Sequence, residues 1–294
     1  MKISFQSEHE ARFMLGFLNE QQKKNDFHAS LLNETMIHCQ SKHWDSFIND
    51  VLIPGFIHFF MNIKESHIIL SIIEKQFYFV DQDEQQQILH IAQSIMEGER
   101  SEIPEVKHFP PREQLLISAL KNFLHPDQSF TVESFIQFRL SDYMTRLTEY
   151  VGISIEEYKM EQEYQNFIES LRDYVISNEP KLSVLHLLHD DGFQIFNEQF
   201  IEMKKPELKR WLDREFIFQH PMYIDSQLLA PLVSIAPLKV YIYSDDQEEG
   251  MILTIQNIFQ ERVRLLPKSS FAEQMVSMAH LDFEQKSVYN TNKR

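Results

Sequence analysis

From 131 to 177 the chain holds no proline and one glycine, Gly152, and its apolar residues recur every three or four positions. Ile136, Leu140, Tyr143, Leu147 and Tyr150 make one stripe, and Tyr164, Phe167, Ile168, Leu171 and Val175 make another. That spacing puts each set on one side of an α-helix. Thr131 is a suitable cap for its start, and Gly152 is where the two halves are expected to bend or split. A helical stretch this long constrains the rest of the chain, because its apolar stripes must be covered by other elements.

Most of the candidate covering elements are also helical. Phe47, Ile48, Val51 and Leu52 repeat with helical spacing. Pro54 lacks a backbone donor, so a kink or restart is expected there. Ile68, Ile69, Ile72 and Ile73 mark a second helix over 65–76. A third starts after Asp81 or Asp83, carries Ile88, Ile91, Ala92 and Ile95, and ends at Gly98. A fourth covers 112–124 and stops at His125-Pro126. Between them, 99–112 holds three prolines and no periodicity, which reads as a linker or exposed loop.

The two ends carry the strand signals. Ile3–Phe5 reads as a short strand, followed by a helix that Ser7 caps with Glu10 three residues on. Residues 27–39 read as a strand or hairpin beside Ile3–Phe5, with helix the open alternative. After Pro180, VLHLLHDDGFQIF reads as a hairpin around Asp191-Gly192. Lys205 to Phe216 reads as a short helix, and Asp225 or Ser226 caps another that runs through Ser234. Leu238–Tyr243 alternates as a strand, and Gly250–Arg262 is helical. The expectation is an α+β protein: a mainly α-helical N-terminal and central body with a small mixed α/β C-terminal part. Its divisions read as 1–125, 126–267 and a tail, 268–294.

Composition removes several function classes. Only 6 glycines argue against a many-stranded sandwich and against glycine-rich phosphate loops. A net charge of −16 repels phosphate backbones and anionic bilayers, so neither nucleic acid nor a membrane is an expected partner. Cys39 is the only cysteine, which fits a reducing, cytoplasmic setting, and 1–13 lacks the apolar stretch of a signal peptide. The apolar runs 51–63 and 228–243 fall short of the roughly 20 uninterrupted residues of a spanning helix, and both contain proline. They read as core.

No reactive constellation is complete. Glu157 and Glu161 share a helix face, but a carboxylate-bridged metal pair also needs Glu-x-x-His partners, and only Glu105–His108 has that spacing. A solvated helix face is the better reading. His38, Cys39 and His43 lack the fourth ligand of a closed zinc site. His186 and His189, three apart in a strand, point to opposite faces, and His189-Asp190-Asp191 is better explained as turn chemistry. No Walker, GxSxG or GxGxxG pattern occurs. The sequence therefore assigns no catalytic residue, no cofactor and no metal. It points instead to Arg139, Tyr143, Arg146, Tyr158, Glu161 and Tyr164 as a possible contact surface for a protein partner or ligand, since Arg and Tyr are enriched where partners dock. The structural alternative for the arginines is a snorkelling stem or an ion pair with Asp142 or Glu149.

The same region carries a family resemblance. FIQFRLSDY (135–143) and EYKMEQEYQNFIESLRDYV (157–175), followed by LVSIAPLKVYIY (232–243) and TIQNIFQERV (254–263), resemble the YtxC-like family over roughly 44–264. The resemblance implies a cytoplasmic protein of unknown biochemical activity, named for sporulation in endospore-forming bacteria. It implies no catalytic residues. The expected role is a non-enzymatic interaction or regulatory component. The alternative is an enzyme using the acidic and Arg/Tyr helical face of 135–164.

Overall fold

A computed structural model describes residues 1–22, 26–126, 128–213 and 228–276. The chain forms two compact units, 1–160 and 161–294. Sequence punctuation puts the first boundary at 125/126, and the contact-dense units divide at 160/161.

In the first unit, strands β1 (Lys2–Ser4), β2 (Phe27–Asn33), β3 (Met36–Ser41) and β4 (Ser129–Thr131) form a sheet in the order β2-β3-β1-β4. β2 and β3 are the expected hairpin, and β1 runs antiparallel to β3, with Ile3 opposite Ile37. Helix α1 (Glu8–Gln22) starts where Ser7 Oγ accepts from the Glu10 amide at 3.3 Å, and it buries Ala11, Met14 and Leu18.

Helix α2 (Trp44–Lys75) is one 32-residue element, not the two expected. Pro54 does not break it. The helix widens into π-helical turns at Ile48–Leu52 and Phe60–Lys64. The first of these lies just ahead of Pro54, where the proline ring crowds the preceding turn and its missing N–H leaves a carbonyl unbonded. By length and composition α2 is the one described helix able to cross a membrane, yet half of its most apolar window is buried within the fold. Phe56, Phe59 and Phe60 are all at 0% exposure in the core.

Asp81 caps α3 (Gln82–Met96) by accepting from the Asp83 and Glu84 amides, and Gly98 follows its end with φ +81°. The proline-rich 99–112 is mostly exposed, as expected, but two of its residues anchor it. Ile103 is 5% exposed, and Phe109 packs edge-on to Tyr150 at 5.1 Å. Helix α4 (Arg112–Phe123) follows.

The long helical signal divides at Leu140, not at Gly152. Thr131 caps α5 (Val132–Arg139), Leu140 leaves the helical region (φ −105°, ψ 26°), and α6 runs unbroken over Ser141–Ser177. Ser141-Asp142 starts the new helix with the residue types that helix N-termini favour. The start of α6 packs in the first unit and its end in the second.

The second unit has the sheet β6-β5-β7-β8, built from β5 (Val184–His189), β6 (Phe193–Phe196), β7 (Lys239–Tyr243) and β8 (Val263–Leu266). β5 and β6 are the expected hairpin, with Gly192 at φ +135° in its turn, and β5, β7 and β8 run parallel. Sequence reading missed β8. Leu185, Leu187, Val240 and Ile242 bury one face against α6, α7 (Lys205–Trp211), α8 (Leu229–Ile235) and α9 (Gly250–Phe259). The expected caps Asp225 and Ser226, and residues 214–216, lie outside the described residues. The protein is α+β and helix-dominated.

Candidate functional site

Two ion-pair networks cross the first unit, on adjacent residues of α2. Lys64 is 6% exposed, and its Nζ lies 2.7 Å from Glu10 of α1 and 3.2 Å from Glu133 of α5. Glu65 is 5% exposed. Its carboxylate takes Arg112 Nε at 3.0 and 3.2 Å and the Tyr143 hydroxyl at 2.5 Å. Arg112 also donates to the Met96 carbonyl at 2.9 Å. Burial works against the Arg112 cation, but Glu65 more than offsets it and its pKa rises. Burial first, and the Glu65 charge second, push the Tyr143 phenol far upward, so it stays a hydrogen-bond donor.

Tyr143 is therefore a buried strut at 1% exposure. Arg146 is also largely enclosed. Its guanidinium lies 3.8 Å over the Phe109 ring and 3.3 Å from Glu149, while its Nε and Nη1 make no aligned hydrogen bond. The Glu149 pair is one of the two structural alternatives anticipated for these arginines. Tyr158, 8% exposed, reaches Glu84 at 3.3 Å and packs edge-on to Phe79.

Arg139 alone of these four is exposed. It sits at the end of α5, 5.8 Å over the Phe123 ring, and makes no ion pair among the described residues. At the break at Leu140, α4 and the α5–α6 junction line a notch of about 290 Å³. Leu115, Ser118, Ala119, Asn122 and Phe123 form its α4 side, and Phe138, Arg139, Leu140, Asp142 and Tyr143 form the other. Phe138 stands 70% exposed at this notch. Sequence reading missed Phe138, although its position off the Ile136–Leu140 stripe was a signal for an outward-facing ring.

Glu161 and Tyr164 belong to the second unit, where the Tyr164 hydroxyl meets Thr254 Oγ1 at 3.1 Å. In the first unit Arg139 is exposed at the notch, Tyr143 lines it from a buried position, and Arg146 and Tyr158 are largely enclosed, while Glu161 and Tyr164 lie in the second unit.

The remaining candidates have structural roles. Glu157 pairs with Arg100 at 3.5 Å. Cys39 is buried in β3, and burial pushes its thiol up to about 12, far from a reactive thiolate. His38 and Cys39 are strand neighbours and face opposite ways. Among the described residues, no group of three or more His, Cys, Asp or Glu side chains could hold a metal ion. His186 meets the Tyr243 hydroxyl at 3.0 Å, while His189 meets Ser244 Oγ at 3.0 Å. Ser244 is 1% exposed, and its hydroxyl donates to the Asp246 carbonyl at 2.8 Å. It closes the loop after β7 and is not poised as a nucleophile.

The model of the YtxC-like family matches residues 19–264, starting earlier than the resemblance read from residue 44. A Bacillus subtilis (strain 168) protein described as "Uncharacterized protein YtxC" is 38% identical over 282 residues, which is 95% of this chain and 99% of the relative. No solved structure matches the chain.

Proposed function

The chain belongs to the YtxC-like family, and we propose that it acts as a non-enzymatic cytoplasmic interaction component associated with sporulation, docking a protein partner at the Phe138–Arg139 notch. The observation that carries this reading is the pairing of a 70% exposed Phe138 with a cation that has no ion-pair partner among the described residues, beside a cavity of about 290 Å³. Ring and guanidinium together suit a protein segment that offers an apolar side chain and a carboxylate. The enzymatic alternative over 135–164 is less well supported, because its tyrosines Tyr143 and Tyr158 are buried and burial raises both phenols.

The test places a photo-crosslinking amino acid at Phe138 in the native host and pairs it with an Arg139→Glu variant. The expected result is a discrete protein adduct in sporulating cells that Arg139→Glu abolishes, with lower spore yield. The melting temperature should not move, since both side chains are exposed. Normal spore yield without an adduct rejects the reading.

A further inference from the structure

The face of the second sheet turned away from its helices carries rings. Alternation puts His186 of β5 and Tyr241 and Tyr243 of β7 opposite the buried Leu185, Leu187, Val240 and Ile242. His186 is stacked under Phe200 at 4.0 Å, and Phe200 is held there by a left-handed backbone (φ +57°) that costs energy for a non-glycine residue.

This cradle is filled by the chain's own segment 268–276, whose helical part is 269–276. Phe271 packs against Tyr243 at 5.1 Å, Phe196 at 4.8 Å and Phe200 at 5.5 Å. Gln274 Oε1 accepts from the Tyr243 hydroxyl at 2.5 Å. The carbonyl oxygen only accepts, so the hydroxyl proton points to Gln274 and His186 Nδ1–H donates to the phenol oxygen. Lys268 Nζ meets Asp190 at 2.5 Å, with Asp191 and Asp245 also acting on its charge. Lys268, Phe271 and Gln274 are spaced three apart, so cation, ring and amide fall along one helical face.

The segment is weakly held. None of its residues is fully buried, and Met275 and Val276 are 44% and 53% exposed.

We infer that this cradle is a docking site for a partner helix with a basic first turn, an aromatic residue three positions on and a carbonyl-bearing side chain three further, and that 268–276 occupies it in cis as a displaceable stand-in. Three carboxylates face one lysine, so the rim accommodates more positive charge than the cis segment brings. The site lies in the second unit and is independent of the notch at Arg139.

The test measures, by fluorescence anisotropy, the binding of a labelled synthetic peptide of residues 267–276 (PKSSFAEQMV) to full-length chains. A Phe271→Ala chain, its own strap weakened, is expected to bind the peptide about tenfold or more tighter than wild type, because the cis segment no longer competes at high effective concentration. Adding Tyr243→Phe to that chain, or placing Phe271→Ala in the peptide, should remove most of the gain. Two extra N-terminal lysines on the peptide should tighten binding in a salt-sensitive way. A folded Phe271→Ala chain that binds no better than wild type overturns the inference. If Phe271→Ala impairs folding, the Lys268→Ala/Gln274→Ala chain replaces it, with a smaller gain expected and no gain again overturning the proposal.

Discussion

Among the described residues the first unit buries three charged side chains, Glu10, Lys64 and Glu65, besides Ser154, whereas the second buries only neutral polar ones, His186, Ser234 and Ser244. The charged three join five helices, α1, α2, α4, α5 and α6, through Lys64–Glu10–Glu133 and Glu65–Arg112–Tyr143. The second set is neutral and locks loops and strands: Ser234 accepts from the Asp213 amide, Ser244 closes a turn, and His186 holds Tyr243. A buried ion pair fails when one partner is removed, because the charge left behind has no water. A buried neutral imidazole fails when it gains a proton. The two units should therefore answer to different perturbations. Each holds one of the two tryptophans, Trp44 in the first and Trp211 in the second, so Trp44→Phe and Trp211→Phe backgrounds report them separately.

The largest expected effect breaks the first unit alone. Arg112→Leu strands the Glu65 carboxylate at 5% exposure and should cost about 3–5 kcal/mol, read from the Trp44 signal in urea. The Trp211 transition should move much less. The triple change Glu65→Met, Arg112→Leu, Tyr143→Phe removes every member of the network and should recover most of the loss. If the single variant unfolds like wild type, the network is not a stability determinant and the contrast between the units collapses.

The next effect belongs to the second unit. Burial lowers the His186 pKa to about 4, against an ordinary value near 6.5. Tyr241 and Tyr243 flank the imidazole from β7, and Phe200 caps it. A base with a depressed folded-state pKa gives stability that is fully present above about 6.5 and is lost as the pH falls toward 4, because the unfolded chain takes up the proton first. The slope approaches about 1.4 kcal/mol per pH unit inside that window, so roughly 2 kcal/mol should be lost between pH 6.5 and 5. The Trp211 midpoint should fall over that range, and His186→Gln should flatten the fall. Equal slopes at both tryptophans, or an unchanged slope in His186→Gln, would show that His186 is not the sensitive group.

Much of this architecture is legible in the residues, and the unread parts share a physical cause. Of the stripe Ile136, Leu140, Tyr143, Leu147 and Tyr150, all but the partly buried Ile136 are buried as the spacing requires, and Asp191-Gly192 makes its hairpin turn. The partners of Glu65 lie 47 and 78 residues away, a separation that local periodicity does not encode. Tyr143 thus answers a carboxylate on α2 and Arg146 lies over Phe109, contacts that the spacing within 135–164 does not announce. β8 escaped because Val263–Leu266 follows α9 with only the short turn Gln260–Arg262 between them, and that reversal uses Gln260 at φ +47°, a conformation its residue type does not announce. At the notch, Arg139 is legible in the sequence and the cavity is not, because Gly152, not Leu140, carries the residue type that signals a break.

That last misplacement supplies the smallest and most specific prediction. Gly152 lies inside α6, far from either end of the Ser141–Ser177 span, and helical backbone runs through it. A Cβ at this position would meet only the Phe77 ring, at 3.8 Å, an ordinary van der Waals distance. No turn or positive φ requires glycine here, so its backbone freedom is lost on folding without return. Gly152→Ala should therefore stabilise the protein by about 0.5–1 kcal/mol, a small gain in the Trp44 transition measured in urea. A bend or hinge at 152 predicts the opposite, because alanine would stiffen a joint that must flex. Loss of stability in Gly152→Ala would put the division of the long helix back at residue 152. A gain leaves the break at Leu140, and with it the notch beneath Phe138 and Arg139.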